Sequence, residues 1–131
     1  MKSLFFKHGE EIFHEGQASE CAYIIESGTV EVSCIATSGK KKILGVLKTH
    51  EIFGEMGMID GLPRSCTVTA REDCEITELS RDSFESLADK KPQALMPILR
   101  VLTNRLRSTL KIVEDLEKGR APAPDAAPNP N

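Results

Sequence analysis

The chain has 131 residues, of which 40% are hydrophobic and 28% charged, a composition that fits one soluble globular domain and leaves no room for two ordinary ones. Lys and Arg total 17 against 20 Asp and Glu, for a formal net charge of -3; this counts against a general nucleic-acid binder, whose affinity comes from clustered positive charge. No apolar run approaches the roughly 18 residues of a membrane helix, and the apolar stretch at Leu4–Phe6 is too short for a secretory signal. Aromatics make up 5%, with no Trp and one Tyr, so the core must be mostly aliphatic. Cys21, Cys34, Cys66 and Cys74 are widely spaced and include no CxxC pair, which predicts reduced thiols in a cytoplasmic protein.

From Glu10 to about Ser80 the chain reads as short strands broken by Gly and polar turns. Cys21 to Glu26 is one strand and Thr29 to Ile35 another, with Val30, Val32 and Cys34 on one face at period two. Ser27-Gly28 between them marks a tight turn. Thr37 to Lys42 reads as a hairpin loop leading into a strand at Ile43 to Leu47, and further strands are expected at Ser65 to Ala70 and Cys74 to Leu79. Strands this short with hairpin connections predict a mainly β fold, a sandwich or barrel rather than βαβ units. After Ser80 the period changes. Ser80 or Asp82 can cap a helix running to about Lys90, before Pro92. Leu99, Leu102, Leu106, Val113 and Leu116 then recur at helical steps, with Thr109 in the one polar seam position, which predicts an amphipathic helix from about Gln93 to Lys118. This seam has two readings: a helix lying along the β structure, or a heptad stripe pairing two chains. The folded domain is expected to span 1–119, with the β part over about 10–80 and helices over about 82–118. Residues 120–131, rich in Pro and Ala, are expected to form a disordered tail.

The segment from Ile52 to Ala70 interrupts the strand texture and carries the candidate chemistry. Gly54, Gly57 and Gly61 let the backbone pass close to a ligand. Between Glu55 and Asp60 there is space for a short helix, whose first N–H groups lack internal partners and favour an anion. Pro63 stiffens the approach to Arg64, and a guanidinium fork suits phosphate oxygens. Glu55 would repel a phosphate directly but accepts hydrogen bonds from sugar hydroxyls. Together these residues describe a compact site for a small sugar phosphate, set against the plainer reading of a Gly-rich turn beside a solvated Arg.

Phe53-Gly-Glu-Met-Gly-Met-Ile59 followed by Pro63-Arg-Ser-Cys-Thr-Val68 resembles the phosphate-binding cassette of the cyclic-nucleotide-binding domain family. Gly9-Glu-Glu-Ile-Phe-His-Glu-Gly16 and Ala22-Tyr-Ile-Ile-Glu-Ser-Gly-Thr-Val-Glu-Val32 resemble that family's first strands, and the likeness runs from about Phe6 to Leu116. The resemblance is to the catabolite activator and protein kinase A regulatory-subunit type, as a bacterial stand-alone member. The resemblance implies an antiparallel, jelly-roll-like β roll of about eight strands with flanking helices and a long C-terminal helix acting as a lid. It further implies that Glu55 holds the ribose 2′-hydroxyl, that Arg64 pairs with the cyclic phosphate, and that backbone N–H groups around Gly54, Gly57 and Ser65 complete the phosphate shell. The ligand set on this reading is Gly54, Glu55, Met56, Gly57, Arg64, Ser65 and Cys66. Thr103, Asn104 and Arg107 are lid candidates facing the base, with Ser108 and Lys111 as further polar positions. Gly57 stands where the family often has Ala, and Ser65 where many members have Ala and some have Thr or Ser. Thr at this place goes with cGMP preference in parts of the family, whereas Ser also occurs in cAMP-binding regulators of the catabolite activator type, so the resemblance leaves the purine open with cAMP favoured over cGMP.

Other function classes have less support. A metal-dependent cupin enzyme needs clustered His and carboxylate ligands, and His8, His14 and His50 are scattered without a His-x-His pair. The cysteines lack the short spacing of an iron–sulfur cluster. A DNA-binding regulator would need a recognition helix that the Pro/Ala-rich tail cannot form, and Arg100, Arg105, Arg107 and Lys111 read as a solvated helix face. The expectation is therefore a stand-alone, non-enzymatic cyclic-nucleotide sensor without metal, membrane or nucleic acid. Its expected partner, besides the cyclic nucleotide, is a second copy paired through the C-terminal helix or an unidentified effector protein. The alternatives are a ligand-free β-roll interaction module and a regulatory domain excised from a larger protein.

Overall fold

The computed structural model of the protein describes residues 2–119; the expected tail at 120–131 lies outside the described residues. Eight strands form in order: β1 (Lys2–Phe6), β2 (Glu11–Phe13), β3 (Cys21–Ser27), β4 (Val30–Ile35), β5 (Lys41–Leu47), β6 (Ile52–Phe53), β7 (Thr67–Ala70) and β8 (Cys74–Ser80). A short helix α1 (Glu55–Asp60) interrupts them, and α2 (Arg81–Lys90) and α3 (Met96–Glu117) follow. The strands make two four-stranded sheets, ordered β1-β8-β3-β6 and β2-β7-β4-β5, with every pair antiparallel. This is the antiparallel β roll with a long C-terminal helix that the resemblance implied.

Period-two alternation explains the interior. Val30 faces Ala70 and Val32 faces Val68 across the β4–β7 ladder, and all four side chains are buried in one cluster with Phe13, Ile25, Phe53, Cys66, Cys74 and Ile76. Its few aromatics sit together: the Phe13 ring lies 5.9 Å from both Tyr23 and Phe53, and Tyr23 stacks on Phe53 at 5.3 Å. The turn between β3 and β4 requires glycine, because Gly28 has φ +94° and a Cβ there would meet Asp73 O at 2.8 Å and Cys74 Sγ at 2.7 Å.

On the other face of the first sheet Ala22 and Leu79 oppose each other. They form a second buried cluster with Ile52 and Met58, against which Phe84 and Leu87 of α2 and Ile98 and Val101 of α3 pack. This sheet is therefore covered on both sides, by the roll interior and by the helices.

Two boundaries differ from the sequence expectation. The roll begins at Lys2 rather than near Glu10, because β1 pairs along its full length with β8, Leu4 opposite Ile76. Its outward Phe5 is 75% exposed, so the strand shows little of the alternation that would have marked it. The final helix begins at Met96, after a 3-10 turn at Pro92–Leu95, and not at Gln93. Pro97 lies at its start; a proline has no N–H to donate, so it is tolerated in the first turn and breaks a helix that already runs through it. Ser80 caps α2 as expected, its Oγ accepting from the Ser83 N–H at 3.1 Å.

Candidate functional site

The site grows from the β6–α1 junction. Gly54 precedes α1 with φ 78° and ψ 4°, a left-handed conformation that costs an L side chain energy. A Cβ there would also lie 2.7 Å from Arg64 Nη1. Gly57, one turn on, is enclosed more tightly. A Cβ at that position would sit 1.9 Å from Ser19 Oγ and 2.5 Å from Ser19 Cβ. Ser19, itself buried, thus fills the space that the family's common Ala would occupy. Gly61 closes α1 with φ 74°, its N–H donating to Gly57 O at 2.9 Å.

Arg64 is clamped by its backbone and stowed by its side chain. Its N–H donates to Gln17 O at 2.9 Å and its carbonyl accepts from the Gly16 N–H at 2.8 Å, so the β2–β3 loop holds it from both sides. The side chain is 6% exposed. Nη1 donates to Gly54 O at 2.8 Å and Nη2 to Cys21 O at 2.7 Å, while the guanidinium lies 4.2 Å above the Phe13 ring. These partners are neutral, and Nε has none among the described residues. A buried cation held by carbonyls and a ring face retains capacity for an anion.

Glu55, the first residue of α1, is fully buried. Arg105, reaching in from α3, donates to Glu55 Oε1 and to Ile52 O. Burial drives the Glu55 carboxyl above the usual carboxylate range, against the opposing pull of Arg105 and, more weakly, Arg64. One turn along α3, Thr109 Oγ1 donates to Arg105 O at 2.9 Å.

The structure therefore brings Gly54, Glu55, Gly57 and Arg64 together as a buried cassette. Met56 is exposed on the outer side of α1, Ser65 is exposed beside Arg64, and the Cys66 side chain belongs to the roll's core. Thr103, Asn104 and Arg107 are exposed. The α3 residue that reaches the cassette is Arg105, whose side chain is 16% exposed; its reading as part of a solvated face is corrected by this contact. A signal for it was present. Ile98, Val101, Arg105 and Thr109 fall at three- and four-residue steps, a second stripe beside the leucine seam. Leu99, Leu106, Val113 and Leu116 of that seam are 52%, 60%, 48% and 61% exposed, so the more apolar stripe faces away from the roll.

Among the described residues there is no group of His, Cys, Asp and Glu suited to a metal ion, and no helix is long and apolar enough to cross a membrane.

Comparison with known proteins matches this architecture. The CRP-like cAMP-activated global transcriptional regulator of Mycobacterium tuberculosis is 32% identical over 116 residues, covering 88% of this chain and 52% of the relative. The catabolite activator protein of Thermus thermophilus superposes with a TM-score of 0.83 at 28% identity, over 88% of this chain and 55% of that one. The cAMP-bound EAL enzyme Bd1971 matches at 34% identity and TM-score 0.64, over 86% of this chain and 30% of the enzyme; the same enzyme has also been solved with cGMP bound. The chain thus spans about half the length of the curated regulators it matches. The family description "Cyclic nucleotide-binding domain" fits residues 3–91, and with the roll, the cassette and these relatives in agreement, the chain belongs to the cyclic nucleotide-binding domain family.

Proposed function

We propose that this domain is a non-enzymatic sensor that binds a cyclic nucleotide, cAMP in preference to cGMP, and reports occupancy through α3. The observation that carries the reading is the buried pair of Arg64 and Glu55 at the start of α1, with Arg64 donating to Gly54 O and Arg105 of α3 donating to Glu55. A cyclic nucleotide has one negative charge, which the Arg64 guanidinium balances while the Glu55 carboxylate accepts from the ribose 2′-hydroxyl. Backbone N–H groups at Gly54, Gly57 and Ser65 supply neutral donors, and Met56 and Cys66 complete the segment that lines the ligand. Arg105 links this event to α3: a sugar hydroxyl arriving at Glu55 changes the balance of bonds holding the helix. Occupancy then shifts α3 in proportion to the difference in affinity between its two positions. Thr103, Asn104 and Arg107, exposed on α3, are the polar positions that would meet the base as the helix moves, and Thr109 lies on the stripe that carries Arg105.

The preference for cAMP is supported by relatives named as cAMP-activated. Pairing of two copies through α3 is supported by its exposed stripe of Leu99, Leu106, Leu110 and Val113; an unidentified effector protein is the alternative occupant. The domain's net charge of -3 supports an output other than direct nucleic-acid binding, and its reduced cysteines support a cytoplasmic setting.

Titration calorimetry with cAMP and cGMP on the wild type and on Arg64→Ala tests the reading. Removing the partner of a desolvated phosphate costs about 3–5 kcal/mol, several hundred-fold or more in affinity. Unchanged affinity in a folded Arg64→Ala protein overturns the assignment.

A further inference from the structure

Two cysteines that the ligand-binding reading leaves without a redox role, Cys34 and Cys66, lie one residue past the end of the β4–β7 ladder. The register runs Val30↔Ala70, Glu31↔Thr69, Val32↔Val68 and Ser33↔Thr67 and ends there; carried one residue further, it sets Cys34 against Cys66. The type of this pair follows from two hydrogen bonds. Arg71 N–H donates to Thr29 O at 3.0 Å, which makes 29/71 a hydrogen-bonded pair and, by alternation, 34/66 a non-hydrogen-bonded one. Ala70 agrees, because its N–H donates to Glu10 O at 2.9 Å and thus points toward β2; even-numbered residues of this segment direct their backbone groups away from β4. Non-hydrogen-bonded partners have Cα atoms about 4.5 Å apart, inside the range of roughly 4.4–6.8 Å that a disulfide spans. Both side chains fall on the inward face. Cys66 lies in the same cluster as Val32 and Val68, and Cys34 shares the parity of Val30 and Val32 along β4.

The two thiols differ in access. Cys34 is half-buried, at the end of the ladder. Cys66 is fully buried, and burial pushes its thiol up to about 12, with the charge of Cys34 near enough to add to the rise. Cys34 is therefore the sulfur an oxidant meets first.

We propose that Cys34 and Cys66 form a reversible cross-strand disulfide, driven by a hydroperoxide, that pulls the end of the cassette against β4 and weakens ligand binding. In the first step the Cys34 thiolate attacks one peroxide oxygen; the O–O bond breaks, and the departing hydroxide takes a proton to become water. Cys34 is then a sulfenic acid. The Cys66 sulfur attacks the Cys34 sulfur; the S–O bond breaks, and the departing hydroxide takes the Cys66 proton and leaves as a second water. Two thiols are oxidised and one peroxide is reduced to two waters, and a dithiol reverses the bond. The consequence for binding rests on the cyclic-nucleotide reading above. Cys66 sits outside the ladder, which ends at Ser33↔Thr67; joining it to Cys34 shifts Ser65 and Arg64, whose donors must meet the phosphate within tenths of an ångström.

The test is hydrogen peroxide treatment of the purified protein, followed by intact mass, disulfide peptide mapping and cAMP calorimetry before and after dithiothreitol. The expected product has lost two hydrogen masses within one chain and maps to Cys34–Cys66. It also forms in a Cys21→Ser/Cys74→Ser background and does not form in Cys34→Ser. Its affinity falls at least about tenfold, the loss of one charge-assisted bond, and recovers on reduction, whereas reduced Cys34→Ser binds as the wild type does. Bridges that map to another pair or between chains, or a wild type that keeps all its thiols, overturn the proposal. A fully oxidised protein with unchanged affinity overturns the effect on binding. If the reduced protein binds no cyclic nucleotide but the bridge maps as stated, the disulfide stands and the ligand reading falls.

Discussion

Replacing Arg105 with Leu tests whether the Glu55–Arg105 contact couples α3 to the roll. Leu keeps the helix propensity and most of the apolar stem, so the change isolates the charge. Glu55 is fully buried and Arg105 is 16% exposed. Removing one member of a fully buried pair costs about 3–5 kcal/mol. Here the partial exposure of Arg105, the remaining influence of Arg64 and proton uptake by Glu55 lower the expectation to about 2–3 kcal/mol near pH 7. That is a large share of the roughly 5–15 kcal/mol that holds a domain together. The pH dependence has a definite sign. Burial already raises the folded-state pKa of Glu55 above its ordinary 4.5, and removing Arg105 raises it further. An acid with a raised folded pKa favours the folded state below its unfolded pKa and loses that contribution as pH rises through the folded value. The penalty of Arg105→Leu is therefore small near pH 4 and grows toward neutrality. Urea unfolding across that range measures it, and amide exchange over 96–117 reports whether α3 loosens first. Glu55→Gln removes the buried charge and is expected to absorb most of the effect in a double-mutant cycle. A coupling energy below about 0.5 kcal/mol, or a penalty independent of pH, refutes the reasoning.

Gly57→Ala places a methyl 1.9 Å from Ser19 Oγ and is expected to cost about 1–3 kcal/mol in urea unfolding; adding Ser19→Gly should recover most of it, and a failure to do so would locate the strain elsewhere. Cys66 holds its proton to about 12 in the folded protein against an ordinary 9.0, so stability falls as pH climbs above 9, at up to about 1.4 kcal/mol per pH unit from this group. Cys66→Ala should flatten that alkaline slope in denaturation measured from pH 8 to 11. Leu106→Glu puts a charge at the middle of the exposed α3 stripe; sedimentation equilibrium should show a concentration-dependent dimer for the wild type and a monomer for the variant. A wild type that stays monomeric at high concentration removes the pairing of α3 from the account.

Much of this domain was legible from residue order because local rules and tertiary structure agree there. Alternation at Val30, Val32, Val68 and Ala70 has one stable solution, burial of that face. Ser80 announces α2 because an N-cap satisfies an orphan N–H wherever the helix packs. The glycines and Arg64 of the cassette stand out because few other roles need that combination at that spacing. Four features depended on the folded molecule. The strand at Lys2–Phe6 exists because β8 offers it a partner from the far end of the roll, an interaction between segments that no local pattern encodes. Arg105 looked like a surface charge, and only the packing of Ile98 and Val101 against the roll turns its stripe toward Glu55. The leucine seam carries more apolar surface, yet it faces outward because helix orientation follows the total set of contacts available, including a buried carboxylate that must be paired. The approach of Cys34 and Cys66 at the end of the β4–β7 ladder likewise follows from register, which joins residues distant in sequence and is decided by which face of the sheet is buried.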